Sequence, residues 1–220
     1  MGNDLAAFAA EMVRLDSRSA VSNLAVAARV EAELAGFDVE RLDYADAAGV
    51  AKRVLVAHRG GPGGLALSAH MDTVPETGWT DDPWSGAIRD GVLHGLGSAD
   101  MKGPLAAIIR AAQAAPRATL VLTTDEETTK AGAREVVARS ALLREAAPAG
   151  IIVAEPTRLQ PVRGHRSHII LTATARGVQA HSSTGLGTNA NWALIPFLAE
   201  LRAVHATLRE DPAWQDAAYD

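Results

Sequence analysis

Residues 65–70 read Leu-Ala-Leu-Ser-Ala-His, and this short run decides the fold class. It is apolar along most of its length rather than alternating, which is typical of a strand covered on both faces. His70 ends the run and Asp72 follows, and side chains two residues apart in an extended segment point to the same face. The sequence therefore predicts a buried strand that ends in an imidazole and a carboxylate, which could form a salt bridge or bind a metal ion.

Similar runs and helical segments alternate along the first three quarters of the chain. The other continuous apolar runs cover residues 53–58, 119–124 and 150–155. Apolar periodicity predicts helices over residues 4–15, 19–35, 103–115 and 131–140. A hairpin is expected at residues 88–93, around the Asp-Gly turn. Strands that alternate with helices in this way predict an α/β domain of three layers.

The pattern changes after Pro161. Residues 171–176 alternate between apolar and polar positions, which predicts a half-buried strand. A helix is expected to follow, with Leu194, Leu198 and Leu201 on one stripe and Pro196 either kinking it or lying in its first turn. We therefore predict one domain over residues 1–162 and part of a second over residues 163–220.

Composition excludes several classes of function. The net charge of the 220-residue chain is −5, which gives no indication of a nucleic-acid or anionic-membrane partner. The absence of cysteine excludes disulfides and thiolate metal sites. No apolar run is long enough to span a membrane, and Asp4 and Glu11 make the first fifteen residues unlike a signal peptide. A cytoplasmic protein is expected.

Acidic side chains gather where the predicted strands end. Beyond His70 and Asp72, they are Asp100 after a glycine-rich segment, Asp125-Glu126-Glu127 after residues 119–124, and Glu155. Ligands of open α/β sheets bind at this edge. Each element alone has an ordinary explanation, a surface salt bridge or the first turn of a helix. Together, these anions would repel one another by on the order of several kcal/mol without basic partners or a cation. One imidazole among carboxylates suits zinc or a related divalent ion.

Five segments in order carry a family resemblance. They are SAHMDTVP at residues 68–75, GLGSADMKGPLAA at 95–107, TTDEET at 123–128, AEPT at 154–157 and GVQAHSSTGLGTNA at 177–190. The chain resembles the acetylornithine deacetylase and succinyl-diaminopimelate desuccinylase family, dinuclear zinc amidohydrolases of the aminoacylase-like metallopeptidase group. The resemblance implies a three-layer, mixed-sheet catalytic domain of the zinc-peptidase type. It also implies an inserted α+β lid and dimerisation domain, only partly present here.

The resemblance also implies the metal ligands. His70 and Glu155 would bind the first zinc ion, Asp100 would bridge the two ions, and Glu127 would bind the second. Co²⁺ and Mn²⁺ would be substitute ions. The family's last ligand of the second metal is a histidine from a later segment, so the second site here would keep only Asp100 and Glu127. The chain thus resembles a family member truncated on its carboxyl side.

Three further residues receive catalytic roles from the same resemblance. Asp72 would orient His70 by a hydrogen bond. Glu126 would be the general base for attack by a metal-activated hydroxide, and His181 would stabilise the oxyanion, often in the partner subunit. The peptide bond after Asp100 is expected to be cis. His165 is a weaker candidate for contact with substrate.

The implied function is removal of an acyl group from an N-acyl amino acid, with an acetylornithine-like substrate preferred. The substrate would be a small N-acyl amino acid or a short peptide, and the full-length protein would be a homodimer. A dipeptidase or aminoacyl peptidase on the same scaffold is an alternative. A non-catalytic fragment that binds metal or dimerises is another.

We expect the 220-residue chain to bind about one zinc ion and to release little amine from N-acetylornithine, because the first site has three ligands and the second has two. Elemental analysis and an amine-release assay on one sample would measure both. Two tightly bound zinc ions with sustained turnover would contradict the expectation. That result would point to His165 or His205, a helix residue expected to be partly buried, as a replacement ligand.

Overall fold

A five-stranded mixed sheet forms the centre of the amino-terminal part of the protein. The computed structural model describes residues 2–164 and 170–215. The strands are β1 Asp38–Ala45, β2 Ala51–Arg59, β3 Leu65–His70, β4 Ala87–Arg89, β5 Val92–His94, β6 Ala118–Thr123 and β7 Gly150–Val153. The sheet order is β1-β2-β6-β3-β7, and β4 and β5 form the predicted hairpin separately.

Strand direction brings the predicted site residues to one edge of the sheet. β3 runs parallel to both β6 and β7, whereas β1, β2 and β6 pair antiparallel. His70 is level with Thr123 in the β3–β6 pair. The loops that follow β3, β6 and β7 therefore begin on the same side, and these loops carry the acidic residues.

Helices cover both faces of the sheet. They are α1 Gly2–Val13, α2 Leu24–Glu31, α3 Gly103–Ala114, α4 Ala131–Arg139 and α5 Ala141–Ala146. The larger core joins α1, α2 and α3 to the sheet, and Leu55 of β2 belongs to it. The smaller core joins Val136 of α4 to Val54 and Val56 of β2. Neighbouring residues of β2 thus enter different cores, and the prediction of a three-layer α/β domain is confirmed.

The helix predicted over residues 19–35 is shorter than expected, since only Leu24–Glu31 is helical. The preceding residues are held by other contacts. The Ser19 amide donates to the carbonyl of Thr73 at 3.0 Å. The Asn23 side chain both donates to and accepts from the backbone of Arg53, at 2.7 and 2.8 Å. These tertiary bonds replace the intrahelical ones that residues 19–23 would have made.

The chain divides into two compact units, Met1–Leu159 and Gln160–Asp220. In the second unit, the strand predicted at residues 171–176 is wrong, because this segment has no partner strand among the described residues and is mostly exposed. α6, Ala190–Glu210, begins with the Asn189 side chain accepting from the Asn191 amide, and a short helical turn, Pro212–Trp214, follows it. Pro196 lies inside α6 and not in its first turn. None of the described helices is both long and apolar enough to cross a membrane.

We expect Gly132→Ala to lower stability by about 1–3 kcal/mol, because an added methyl group would overpack a close contact. A Cβ at Gly132 would lie 2.4 Å from the carbonyl oxygen of Thr124, the residue after β6. Gly61→Ala is the control, since nothing lies within 4 Å of a Cβ there. Urea denaturation would compare the two variants, and equal midpoints would contradict the close contact.

Candidate metal centre

Three predicted ligands meet beyond the end of β3. His70 Nε2 lies 3.3 Å from Asp100 Oδ1 and 3.9 Å from Glu155 Oε1. One donor atom from each residue lies within 4.8 Å of the others. His70 is buried, while Asp100 and Glu155 are exposed at the mouth of the site. A buried imidazole with two solvent-facing carboxylates is a donor set that suits a divalent ion.

A second group of donors adjoins the first. His70, Glu126 and Glu127 also offer donor atoms within 4.8 Å of one another. His70 belongs to both groups, so the acidic turn after β6 lies beside the Asp100 and Glu155 carboxylates. Five of the predicted residues are therefore brought together in the first unit.

Asp72 is the buried partner of this centre, with no exposed surface. Its carboxylate accepts hydrogen bonds from the Ser19 hydroxyl at 2.7 Å and from the amides of Glu126 and Glu127 at 3.1 and 3.2 Å. His70 Nδ1 lies 2.9 Å from the backbone oxygen of Asp72 and 3.5 Å from its carboxylate. Both neighbours are acceptors, so Nδ1 carries a proton and Nε2 faces the other carboxylates. The carboxylate of Asp72 thus holds the Glu126–Glu127 backbone more closely than it holds His70.

Burial and charge shift the pKa values of the centre in opposite directions. Burial disfavours the charged forms of His70 and Asp72, but their mutual attraction outweighs it. The pKa of His70 rises to about 9, and that of Asp72 falls below its usual range.

The pKa values of Glu127 and Glu155 are raised by burial and by the crowding of carboxylates at the centre. Burial raises the pKa values of Glu127 and Glu155, and the charges of Asp100 and Glu126 raise them further, against the opposing effect of His70. A bound cation would relieve this repulsion, so the residues present fit a divalent metal.

The loop that carries Asp100 is held by close contacts. Gly97 has φ +77°, and a Cβ there would lie 2.4 Å from Thr73 Cγ2, so a side chain would not fit. The Asp100–Met101 peptide bond is cis, as the resemblance implies. Lys102 is buried and donates to the carbonyl of Leu15 at 2.7 Å, and burial lowers its pKa to about 8.

Two lysines contact the acidic turn in ways that the sequence reasoning missed. Lys130, which has φ +58°, contacts the carboxylate and the backbone oxygen of Glu126. Lys52 lies 3.0 Å from Asp125. The second contact follows from the sheet register, which the sequence alone does not give: the β2–β6 pairing of Leu55 with Leu122, continued by three residues, places Lys52 opposite Asp125.

The remaining histidine candidates fall within residues 160–220. His181 is exposed, and its Nδ1 lies 2.7 Å from the Ser183 hydroxyl oxygen. Its oxyanion role stays a prediction. His205 is exposed on α6 rather than partly buried. His165 lies outside the described residues.

Comparison with known proteins gives a match to a family model and a set of similar proteins. The model of Peptidase family M20/M25/M40 matches residues 66–219. Acetylornithine deacetylases of Erwinia tasmaniensis and Yersinia pseudotuberculosis are 40% and 42% identical over 159 residues. Each alignment covers 68% of this chain and 40% of the relative. The chain therefore spans about 40% of the length of the curated relatives it matches.

Solved structures share the fold at lower identity. Human carnosine dipeptidase 1 has a TM-score of 0.57 and 23% identity, covering 69% of this chain and 38% of its own. A tripeptidase of Staphylococcus aureus has a TM-score of 0.51 and 19% identity, covering 90% of this chain and 55% of its own. Both likenesses concern the fold.

We expect Asp72→Asn to weaken zinc binding by about 10–100-fold, the usual effect of removing a residue that holds a metal ligand. The amide keeps the size of Asp72 but loses the charge that attracts His70, and its NH₂ group cannot accept the turn amides. Ser19→Ala, which removes one donor to Asp72, is the milder control. Competition with a chromophoric chelator would measure affinity, and circular dichroism would check the fold. Wild-type affinity in a folded Asp72→Asn protein would contradict the role given to Asp72.

Proposed function

The chain belongs to Peptidase family M20/M25/M40, and on that premise we propose that it is the metal-binding part of a zinc-dependent amidohydrolase. The reaction is removal of an acyl group from an N-acyl amino acid. The convergence of His70, Asp100 and Glu155, with Glu126 and Glu127 adjoining, carries the proposal. We assign residues 1–162 to the catalytic domain and residues 163–220 to the lid and dimerisation domain.

The proposed ligand roles follow the two donor groups. His70, Asp100 and Glu155 would hold the first zinc ion, and Asp100 and Glu127 would hold the second. The short distances from His70 Nε2 to Asp100 and Glu155 support the first site. Asp100 is exposed beside His70, so its carboxylate is accessible to a metal ion. Bound zinc would lower the pKa of water and polarise the substrate carbonyl.

Glu126 is the proposed general base. Its carboxylate lies in the same cluster as His70 and Glu127, so it can accept a proton from water at the site and pass it to the leaving amine. The Lys130 ammonium contacts this carboxylate. His181 would donate a hydrogen bond to the oxyanion.

The substrate class rests on the relatives. The acetylornithine deacetylases are 40% to 42% identical to this chain, whereas the dipeptidase and tripeptidase structures share 23% and 19%. This difference favours an acylated amino acid over a peptide. We also propose a cytoplasmic homodimer that pairs through the second unit. The exposed apolar residues of α6, such as Leu198 at 56% exposure, support that interface.

We expect Glu126→Gln and Glu127→Gln to separate base from ligand. In the complete enzyme, Glu126→Gln should lower turnover of N-acetylornithine by about 10²–10⁴-fold with little change in zinc content, because glutamine cannot accept the proton. Glu127→Gln should instead lower zinc occupancy. Amine release and elemental analysis would measure the two effects. Zinc loss from Glu126→Gln alone would reverse the two assignments.

A further inference from the structure

Lys52 is a buried cation that no step of the proposed reaction uses. Its Nζ donates to the backbone oxygens of Ser19 and Val21 at 2.6 and 2.8 Å and lies 3.0 Å from Asp125 Oδ1. The Lys52 side chain has no exposed surface, and that of Asp125 is 3% exposed. A buried ion pair is costly to desolvate unless its remaining donors and acceptors are also satisfied. The Lys52 ammonium has two backbone acceptors here, whereas Asp125 Oδ1 has the neighbouring charge of Lys52 but no hydrogen bond among the described residues.

The second oxygen of Asp125 does accept a hydrogen bond. Tyr44 lies opposite Lys52 in the β1–β2 pair, and its hydroxyl donates to Asp125 Oδ2 at 2.7 Å. Burial and the negative charge of Asp125 both raise the pKa of Tyr44, which keeps the hydroxyl protonated as a donor. Side chains from β1 and β2 therefore both contact the carboxylate of Asp125.

Asp125 shapes the turn that follows it. Its φ is +59°, a left-handed conformation that non-glycine residues seldom adopt. Its carbonyl accepts hydrogen bonds from the amides of Lys130 at 2.7 Å and Thr128 at 3.4 Å, which closes the turn around Glu126 and Glu127. The side-chain contacts with Lys52 and Tyr44 fix the residue from which this turn starts.

The other end of the Lys52 network reaches the same turn by a different path. Lys52 binds the backbone of Ser19, and the Ser19 hydroxyl donates to Asp72. Asp72 in turn accepts the amides of Glu126 and Glu127. The ammonium thus connects the two segments that hold the acidic turn, one through Asp125 and one through Asp72.

We propose that Lys52, acting through Asp125, is a positioning residue that sets where Glu126 and Glu127 stand relative to His70. The inference rests on the proposed function, because it gives the two glutamates their roles as base and ligand. A purely structural ion pair would stabilise the sheet without altering metal binding in the folded protein. Coupling between Lys52 and Glu127 therefore distinguishes the two.

The test is a Co²⁺ titration of the complete enzyme, which is expected to supply the later histidine ligand of the second site, followed by the visible absorption of the bound ions. The main variant is Lys52→Met with Asp125→Asn, which removes both charges and leaves no unpaired ion in the interior. Tyr44→Phe removes a single hydroxyl and is the milder variant. Val56→Ala is the matched control. Val56 is buried on the same face of β2 as Lys52, so its truncation should weaken the smaller core without affecting the turn. Circular dichroism at the titration temperature checks each fold.

We expect the double variant to bind the second Co²⁺ ion about 10–100-fold more weakly, with a changed absorption spectrum, as for loss of a group that orients a ligand. Tyr44→Phe should show a smaller loss, and Val56→Ala should match the wild type. In a Glu127→Gln background, the double variant should cause little further loss, because the ligand it positions is already gone.

Different failures have different meanings. A folded double variant with wild-type Co²⁺ affinity and spectrum overturns the positioning role and leaves the proposed function standing. An equal loss with and without Glu127 also overturns it, since the effect would not pass through the turn. Unchanged Co²⁺ binding in Glu127→Gln alone overturns the ligand role of Glu127, and the positioning role with it.

Discussion

The buried carboxylate of Asp72 connects the separate segments that supply the candidate centre. It accepts hydrogen bonds from Ser19 and from two consecutive amides, and it attracts the imidazole of His70. A carboxylate with no access to water is costly to leave without donors. Moving any of these donors away from the carboxylate would therefore be unfavourable. The loop before α2, the end of β3 and the turn after β6 keep their relative positions through this one group.

The three-layer arrangement explains how so polar a cluster sits beside so apolar a sheet. Residues of β2 alternate between the two cores, and β6 is buried throughout. Both faces of β2 and β6 are covered, and the polar groups collect at the edge where the parallel strands end. Lys52 and Asp125 mark the boundary, because they are as buried as the core yet bear full charges.

Local patterns were sufficient to predict β3, the hairpin and most helices, because continuous apolar runs and helical stripes depend on near neighbours. β1 was missed because its sequence, Asp-Val-Glu-Arg-Leu-Asp-Tyr-Ala, is charged and largely exposed at a sheet edge. Residues 171–176 alternate correctly but have no partner strand in the described chain, and alternation alone does not make a strand. The ligand cluster could be predicted from family motifs. The grip of Lys52 on Asp125 could not, because it depends on the register between distant strands.

The parallel pairing of β3 with β6 and β7 also sets the distance between the strand ends that carry the candidate ligands. Neighbouring strands lie about 4.8 Å apart. Two donor atoms bound to one metal ion must lie closer together than this. Side chains must therefore lean inward from the strand ends to meet, and their reach decides whether they do. Histidine at the middle strand and the longer glutamate beyond each flanking strand satisfy this geometry. The spacing between the strands therefore constrains the length of the side chains at these positions, in addition to their charge.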